Sequence, residues 1–143
     1  MITLRARGAL GDHVTCSVET GRALVEAGLH PATGGDGVSA CSGDMLLQAL
    51  VACAGVTLSA VATSLGITVQ SGHLTAEGDL DFRGTLGVAK EAPVGFTNIR
   101  LWITLDCDAS DELKRKLLQL TERYCVVYQT LRGGVPVDVA YRD

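Results

Sequence analysis

Apolar and polar residues alternate over several short stretches of the chain, which is the pattern of strands that bury one face. Residues 2–7 and 13–19 alternate in this way, and the Gly-Asp pair at positions 11–12 between them suits a hairpin turn. Residues 22–26 can form a third short strand. Further strands are predicted at about 67–82, 96–106 and 135–141, with a Gly- and Pro-containing loop at 84–95.

A run of apolar residues too long for a strand covers residues 45–62, MLLQALVACAGVTLSAVA. We expect a helix from about residue 44 to residue 65, with Ser42 as its N-cap and Gly66 as its C-terminal stop. The preceding residues 31–43 are rich in Gly, Ser and Thr and show neither the periodicity of a helix nor that of a strand, so they are predicted to form a loop.

A second long helix is predicted to open at Ser110 and to continue to Gly133 and Gly134, which end it. Its apolar residues are spaced three and four positions apart, which places them along one side of a single helix. They are Leu113, Leu117, Leu120, Tyr124, Val127 and Leu131.

The predicted order β-β-β-α-β-β-α-β favours an α+β fold with a mainly antiparallel sheet, formed by a single domain over residues 1–143. The 32 residues from Met45 to Ala76 contain no Asp, Glu, Lys or Arg. One short chain would struggle to cover so apolar a helix on every side. We therefore expect a dimer in which a second copy supplies the missing cover.

A membrane span is the main alternative for residues 45–62, whose length is about the shortest that crosses a bilayer. Gln48, Thr57 and Ser59 interrupt the apolar run, and no positive charges flank it. An alternating stretch follows directly, so we expect no membrane span. The chain also opens without the apolar segment of a secretory signal, which favours a cytoplasmic protein.

Charge and cysteine usage narrow the choice of function. The formal net charge is -4, and Lys and Arg form no basic stripe, so nucleic-acid binding is not expected. His30 and His73 have no partner at metal-ligand spacing, so we expect no metal cofactor. In the cytoplasm cysteines are expected to stay reduced unless they have a redox function. Their odd number also argues against a complete disulfide framework. The five cysteines are at positions 16, 41, 53, 107 and 125.

Two of these thiols lie on the predicted long helices, Cys53 on the first and Cys125 on the second. Each has a threonine one helical turn away, Thr57 and Thr121 respectively. A lone cysteine in a buried helix usually acts as a small apolar residue. Periodicity alone therefore leaves both readings open, inert packing and a reactive pair.

The sequence around the two thiols resembles the OsmC/Ohr family, osmotically inducible protein C and organic hydroperoxide resistance protein, and its OsmC-like subgroup in particular. Residues 44–53, DMLLQALVAC, are similar to that family's first motif, approximately E-L-L-L-A-A-L-x-A-C. Residues 122–131, ERYCVVYQTL, look like its second motif, approximately E-x-x-C-P-V-x-x-x-L. The glycine-rich residues 34–37 and the 72-residue separation of the thiols (125 minus 53) also fit.

This resemblance implies an intertwined homodimer with two long central helices packed against mainly antiparallel sheets. It implies a peroxidase that reduces organic (lipid or alkyl) hydroperoxides to alcohols in oxidative-stress defence. Cys53 would be the peroxidatic thiol that becomes a sulfenic acid, and Cys125 the resolving thiol that forms a disulfide with it. An external dithiol, a lipoyl protein or a thioredoxin-like protein, would restore the pair, and no cofactor is implied.

The chain departs from the family pattern near the site. Family members carry an arginine that activates the first cysteine, oriented by a glutamate at the helix start; here that carboxylate is Asp44, one methylene shorter. No Arg or Lys occurs between residues 23 and 82, so Arg22 is the best candidate for the activating cation. Val126 replaces the usual proline. Cys41 is a candidate alternate resolving thiol.

These departures keep a second hypothesis open, a catalytically weak OsmC-like protein that binds an apolar small molecule at the dimer interface. A third is a structural domain with inert buried thiols.

Overall fold

The structure, a computed structural model, describes residues 7–10, 15–19 and 24–142. Four strands form the first sheet: β1 (Arg7–Leu10), β2 (Thr15–Glu19), β3 (Leu24–Gly28) and β4 (Ala40–Cys41). They lie in this order across the sheet. The β1–β2 and β2–β3 pairs are antiparallel, and the short β4 pairs with β3 in parallel. The predicted strands at 13–19 and 22–26 correspond to β2 and β3 with shifted ends. The predicted strand at 2–7, apart from Arg7, and the predicted turn at 11–12 lie outside the described residues. β4 lies in the segment predicted to be a loop.

The first long helix, α1, runs from Ser42 to Ser64. It begins two residues earlier than predicted, so Ser42 is its first helical residue rather than its N-cap. Gly66 has a φ of 69°, a left-handed conformation that glycine adopts without strain. It ends the helix as predicted.

Two strands form a second sheet, β5 (Val69–Asp79) and β6 (Asn98–Cys107). The connection between them contains a short helix, α2 (Phe82–Thr85), which covers the end of the predicted strand 67–82 and the start of the predicted loop 84–95. The Asp81 carboxylate accepts a hydrogen bond from the N–H of Arg83 at 3.1 Å and so caps this helix.

The predicted second long helix is two helices, α3 (Asp111–Tyr124) and α4 (Val126–Gly133). Ser110 is the N-cap of α3, as predicted, and its hydroxyl accepts a hydrogen bond from the N–H of Leu113 at 3.2 Å. The prediction of one uninterrupted helix is wrong, because the chain at Cys125 is extended, with φ −73° and ψ 109°.

Residues 134–142 form neither helix nor strand, so the last predicted strand is absent from this chain. The apolar side chains of this segment alternate along it and are more than half exposed: Val135, Val137, Val139 and Tyr141. A strand needs a hydrogen-bonded neighbour, and no described strand of the same chain pairs with this segment.

The α+β class is confirmed, and the chain divides into two compact units. The first contains Met1–Leu47 and Glu77–Ile99, and the second contains Gln48–Ala76 and Arg100–Asp143. The prediction of one domain over residues 1–143 stays a prediction. The second unit has an apolar core formed by Leu58, Val61, Ala62, Ile67 and Leu117.

The helix α1 buries one side and exposes the other. Its buried residues are spaced three or four positions apart, or adjacent, and so share a face: Leu50, Ala54, Leu58, Val61 and Ala62. Val56, on the opposite face, is 73% exposed.

By length and composition α1 is also the one helix among the described residues that could cross a membrane, with a mean hydropathy of 2.0. Core helices of soluble proteins meet the same criterion.

Candidate active site

The junction between α3 and α4 is formed by the backbone of Cys125. Its N–H donates to the carbonyl oxygen of Thr121 at 3.0 Å, which completes the last turn of α3. Its carbonyl oxygen accepts from the N–H of Gln129 at 2.9 Å, which is the first bond of α4. Cys125 thus belongs to the hydrogen bonding of both helices while its own φ and ψ are extended.

Side-chain hydrogen bonds hold this junction in place. The Gln129 amide Nε2 donates to the carbonyl oxygen of Glu122 at 2.7 Å, across the break. That carbonyl lies in the last turn of α3, where helical partners run out. The hydroxyl of Thr121 is buried and donates to the carbonyl oxygen of Leu117 at 2.8 Å.

The break gives α4 an N-terminus of its own. The first N–H groups of a helix have no carbonyl partner within it, and they carry the positive end of the helix dipole. Hydrogen bonding from two of these groups, the N–H of Val127 and the N–H of Val126, lowers the pKa of Cys53.

Cys53 is a half-buried, free thiol. Burial alone raises its pKa and is the largest single effect. The N–H of Val127, the thiol of Cys125, the N–H of Val126 and the hydroxyl of Thr57 each lower it. Together these donors bring the pKa of Cys53 below the ordinary value for a thiol.

Cys125 is a free thiol whose pKa is shifted in the opposite direction, above its ordinary value. It is 1% exposed, and this burial raises its pKa. The N–H groups of Tyr128 and Val127 act in the other direction, while donation to Cys53 and the negative charge there raise the pKa further. As the pH rises Cys53 therefore loses its proton first, and Cys125 keeps its own and donates it in a hydrogen bond to the Cys53 thiolate.

The remaining predicted site residues are Asp44 and Arg22. Asp44 is exposed in the first turn of α1 and belongs to the first unit, whereas Cys53 and Cys125 belong to the second. Arg22 lies outside the described residues. No group of three or more His, Cys, Asp and Glu side chains placed to hold a metal ion occurs in residues 7–10, 15–19 and 24–142.

Cys41 lines a groove of about 400 Å³ in the first unit. Asp44 and the rings of His30, Phe82 and Phe96 also line it. The His30 and Phe82 rings are stacked with their centroids 5.4 Å apart. The Nδ1 atom of His30 accepts a hydrogen bond from the N–H of Ala32 at 3.1 Å, which places the proton of the neutral ring on Nε2.

The helix break and the backbone donors were missed by the sequence prediction. The apolar spacing continues across Cys125 without a change of period, and neither Gly nor Pro marks the boundary. One signal was available: the family motif has a proline at the position of Val126, and proline is favoured at the first residue of a helix.

The chain matches a protein-family model and several solved structures. The model of the family described as OsmC-like protein matches residues 34–140. No curated protein matches the chain at a significant level.

Several solved structures have a similar fold. An OsmC-like protein from Mycoplasma pneumoniae aligns with a TM-score of 0.77 at 16% identity, covering 93% of this chain and 89% of that one. An organic hydroperoxide resistance protein from Elizabethkingia anophelis, with thiocyanate bound, aligns with a TM-score of 0.73 at 16% identity, covering 94% and 91%. An organic hydroperoxide resistance protein OsmC from Legionella pneumophila gives 0.72 at 16% identity, covering 93% and 91%. At these identities the similarity shows the fold alone.

Proposed function

The chain belongs to the OsmC-like protein family, and from this premise we propose that it is a thiol-dependent peroxidase that reduces organic hydroperoxides to alcohols. The observation that carries the proposal is the pair of free thiols, Cys53 and Cys125. Hydrogen-bond donors lower the pKa of the first, and the thiol of the buried second is one of these donors. A thiolate is the nucleophilic form of cysteine, so this pair meets the first chemical requirement of a peroxidase.

In the proposed reaction the Cys53 thiolate attacks the terminal oxygen of the hydroperoxide R–O–OH. A sulfur–oxygen bond forms and the O–O bond breaks, so the sulfur is oxidised by two electrons to a sulfenic acid. The leaving alkoxide takes up the proton that Cys53 lost on ionisation and departs as the alcohol R–OH. The Val126 and Val127 N–H groups stabilise the attacking anion before this step.

Cys125 then attacks the sulfur of the Cys53 sulfenic acid. The disulfide forms, and the hydroxyl group leaves as water with the Cys125 proton. Hydrogen bonding between the two thiols contributes to the pKa shifts of both, which supports their assignment as a pair. An external dithiol, such as a lipoyl protein or a thioredoxin-like protein, reduces the disulfide by exchange and is itself oxidised. We expect this cycle in the cytoplasm, where such dithiols are available.

The surroundings of the pair favour a hydroperoxide with an apolar group. Val56 lies three residues after Cys53, on the neighbouring turn of α1, and is exposed. Val126 lies next to Cys125 and is exposed as well. Apolar side chains beside the nucleophile would stabilise a bound alkyl or lipid tail by burying its apolar surface. Hydrogen peroxide has no apolar surface and would gain no such stabilisation.

The test uses the purified, reduced wild-type protein. Cumene hydroperoxide is added with dihydrolipoamide as reductant, peroxide consumption is followed, and disulfides are mapped by mass spectrometry of non-reduced peptides. We expect catalytic consumption and a Cys53–Cys125 disulfide. Thiols that stay unmodified under excess peroxide would contradict the proposal and favour the binding of an apolar small molecule. A Cys41–Cys53 disulfide would assign the resolving role to Cys41.

We also propose that the protein is a homodimer. The exposed, apolar face of α1 and the alternating segment 135–141 are surfaces that a second copy would cover. If the segment forms a strand against a second copy, Val135, Val137 and Val139 would face one side of it and Asp138 would face the other side.

Light scattering is expected to give twice the chain mass for the wild type at micromolar concentration. Val137→Lys should shift the protein towards the monomer because it places a charge on the apolar side of the segment. Asp138→Lys, one residue along, is the matched control and should leave the dimer intact. A wild-type protein that is monomeric at this concentration would contradict the proposal.

A further inference from the structure

The break between α3 and α4 separates backbone groups that a continuous helix would pair. In such a helix the N–H of Val126 would donate to the carbonyl oxygen of Glu122, four residues earlier. The chain is extended at Cys125, between these two residues. The Glu122 carbonyl oxygen accepts a hydrogen bond from the side-chain Nε2 of Gln129 at 2.7 Å. A side-chain amide therefore takes the place that a backbone N–H has in an uninterrupted helix.

Gln129 bonds to the chain on both sides of the break. Its backbone N–H donates to the carbonyl oxygen of Cys125 at 2.9 Å, which is the first bond of α4. Its side chain reaches back over 7 residues to Glu122, in the last turn of α3. One residue thus ties the end of α3 to the start of α4, and Cys125 lies between the two points of attachment.

The extended conformation of Cys125 differs from a helical one in a single dihedral angle. Its φ of −73° is already in the helical range, and its ψ of 109° contrasts with the helical value of about −42°. Rotation about that one bond would allow α3 to continue into α4. Neither Gly nor Pro opposes this within residues 111–132, and the apolar spacing continues across position 125. The break therefore requires an interaction that a continuous helix would lose.

We propose that Gln129 positions Cys125: its side-chain amide occupies the carbonyl oxygen of Glu122 and so keeps Cys125 out of the helix. Rotation about the ψ of Cys125 would swing α4 relative to α3 and change the surroundings of a sulfur that is now in a residue only 1% exposed. The consequence for disulfide formation rests on the proposed function, in which Cys125 attacks the oxidised Cys53. The effect on the conformation of Cys125 does not.

The Gln129 side chain is exposed, so its replacement removes the hydrogen bond and little buried packing. Methionine is similar to glutamine in length and helix propensity and has no donor, so Gln129→Met is the variant of choice. Gln119 is also exposed and lies on α3, away from the break. Gln119→Met makes the same chemical change there and is the matched control.

Proline at position 126 offers an independent way to keep the break. Proline has no N–H to donate to the Glu122 carbonyl oxygen, and it is favoured at the first position of a helix. It also restricts the preceding residue to extended conformations, which Cys125 already adopts. Since Gln129 acts by keeping Cys125 extended, Val126→Pro should make the Gln129 amide dispensable.

The first measurement is the Cα chemical shift of Cys125 by NMR, in reduced protein with isotope-labelled cysteine, because this shift distinguishes helical from extended backbone. Gln129→Met should move the resonance towards the helical value, and Gln119→Met should leave it at the wild-type position. The double variant Val126→Pro/Gln129→Met should have the same Cys125 shift as Val126→Pro alone.

The second measurement follows the oxidised Cys53. Protein is treated with cumene hydroperoxide at a fixed concentration of dimedone, and mass spectrometry gives the ratio of Cys53–Cys125 disulfide to Cys53 dimedone adduct. This ratio depends only on steps that follow sulfenic acid formation. Gln129→Met should lower it about fivefold, which is the factor that the loss of one hydrogen bond allows. The double variant should again match Val126→Pro alone.

An unshifted Cys125 resonance in Gln129→Met would overturn the proposal, and so would a shifted resonance with an unchanged disulfide ratio. Changes in Gln129→Met that persist on the Val126→Pro background would also overturn it, because Gln129 would then act by another route. The chemical shift requires no peroxide. A shifted resonance in a protein that consumes no hydroperoxide would retain the positioning of Cys125 and reject the peroxidase, and turnover with an unshifted resonance would do the reverse.

Discussion

Replacing Cys53 by serine should lower organic hydroperoxide turnover by at least about a thousandfold, because a serine hydroxyl stays protonated at neutral pH and is a poor nucleophile towards oxygen. The donors around position 53 stabilise an anion, and serine does not supply one. The measurement is the consumption of cumene hydroperoxide with dihydrolipoamide present. Loss of turnover with native circular dichroism would assign the chemistry to this sulfur.

Cys125→Ser is the matched comparison, because it leaves the nucleophile and removes the resolving thiol. A single oxidation of Cys53 should still occur, and the sulfenic acid should be trapped by dimedone and seen in the mass of the Cys53 peptide. Cys53→Ser should show no dimedone adduct at that peptide. Equal turnover in Cys53→Ser and the wild type would remove Cys53 from the mechanism.

Leu117→Ala should reduce the free energy of unfolding by about 3 kcal/mol, since a buried leucine reduced to alanine loses its transfer energy and leaves a cavity. Leu117 is 1% exposed and lies in the core of the second unit. Its carbonyl oxygen also accepts the hydrogen bond from Thr121, one turn before the α3–α4 junction. Urea unfolding followed by circular dichroism measures the change.

The adjacent Leu118 is 45% exposed and provides the control. Leu118→Ala should change the free energy of unfolding by less than about 1 kcal/mol, because little of its side chain leaves a packed environment. Similar losses in the two variants would show that the core of this unit does not centre on Leu117.

Much of the fold follows from local signals in the sequence. Gly66 ends α1 because it adopts a left-handed conformation, and Ser110 starts α3 because its hydroxyl caps the helix. The helix α2 was missed because its single turn depends on the carboxylate of Asp81 rather than on an apolar period. The segment 135–141 has the alternation of a strand, but a strand forms only where a partner strand is available.

The site was predictable only in part. The motifs identify Cys53 and Cys125, since side-chain identity and spacing are visible in a sequence. The groups that lower the pKa of Cys53 include two backbone N–H donors, and these depend on where a helix begins. That boundary lies inside an uninterrupted apolar stripe, so a search for a cationic side chain such as Arg22 could not reveal it.

The start of α4 also has a thermodynamic consequence for the oxidised protein. Its N–H groups stabilise a negative charge on Cys53, and a disulfide carries none. Stabilising the reduced form of a thiol–disulfide couple raises its reduction potential. The proposed Cys53–Cys125 disulfide is therefore expected to be a comparatively strong oxidant that a dithiol reduces readily. The hydrogen bonds that make the Cys53 thiol reactive would thus also favour the reduction of its disulfide.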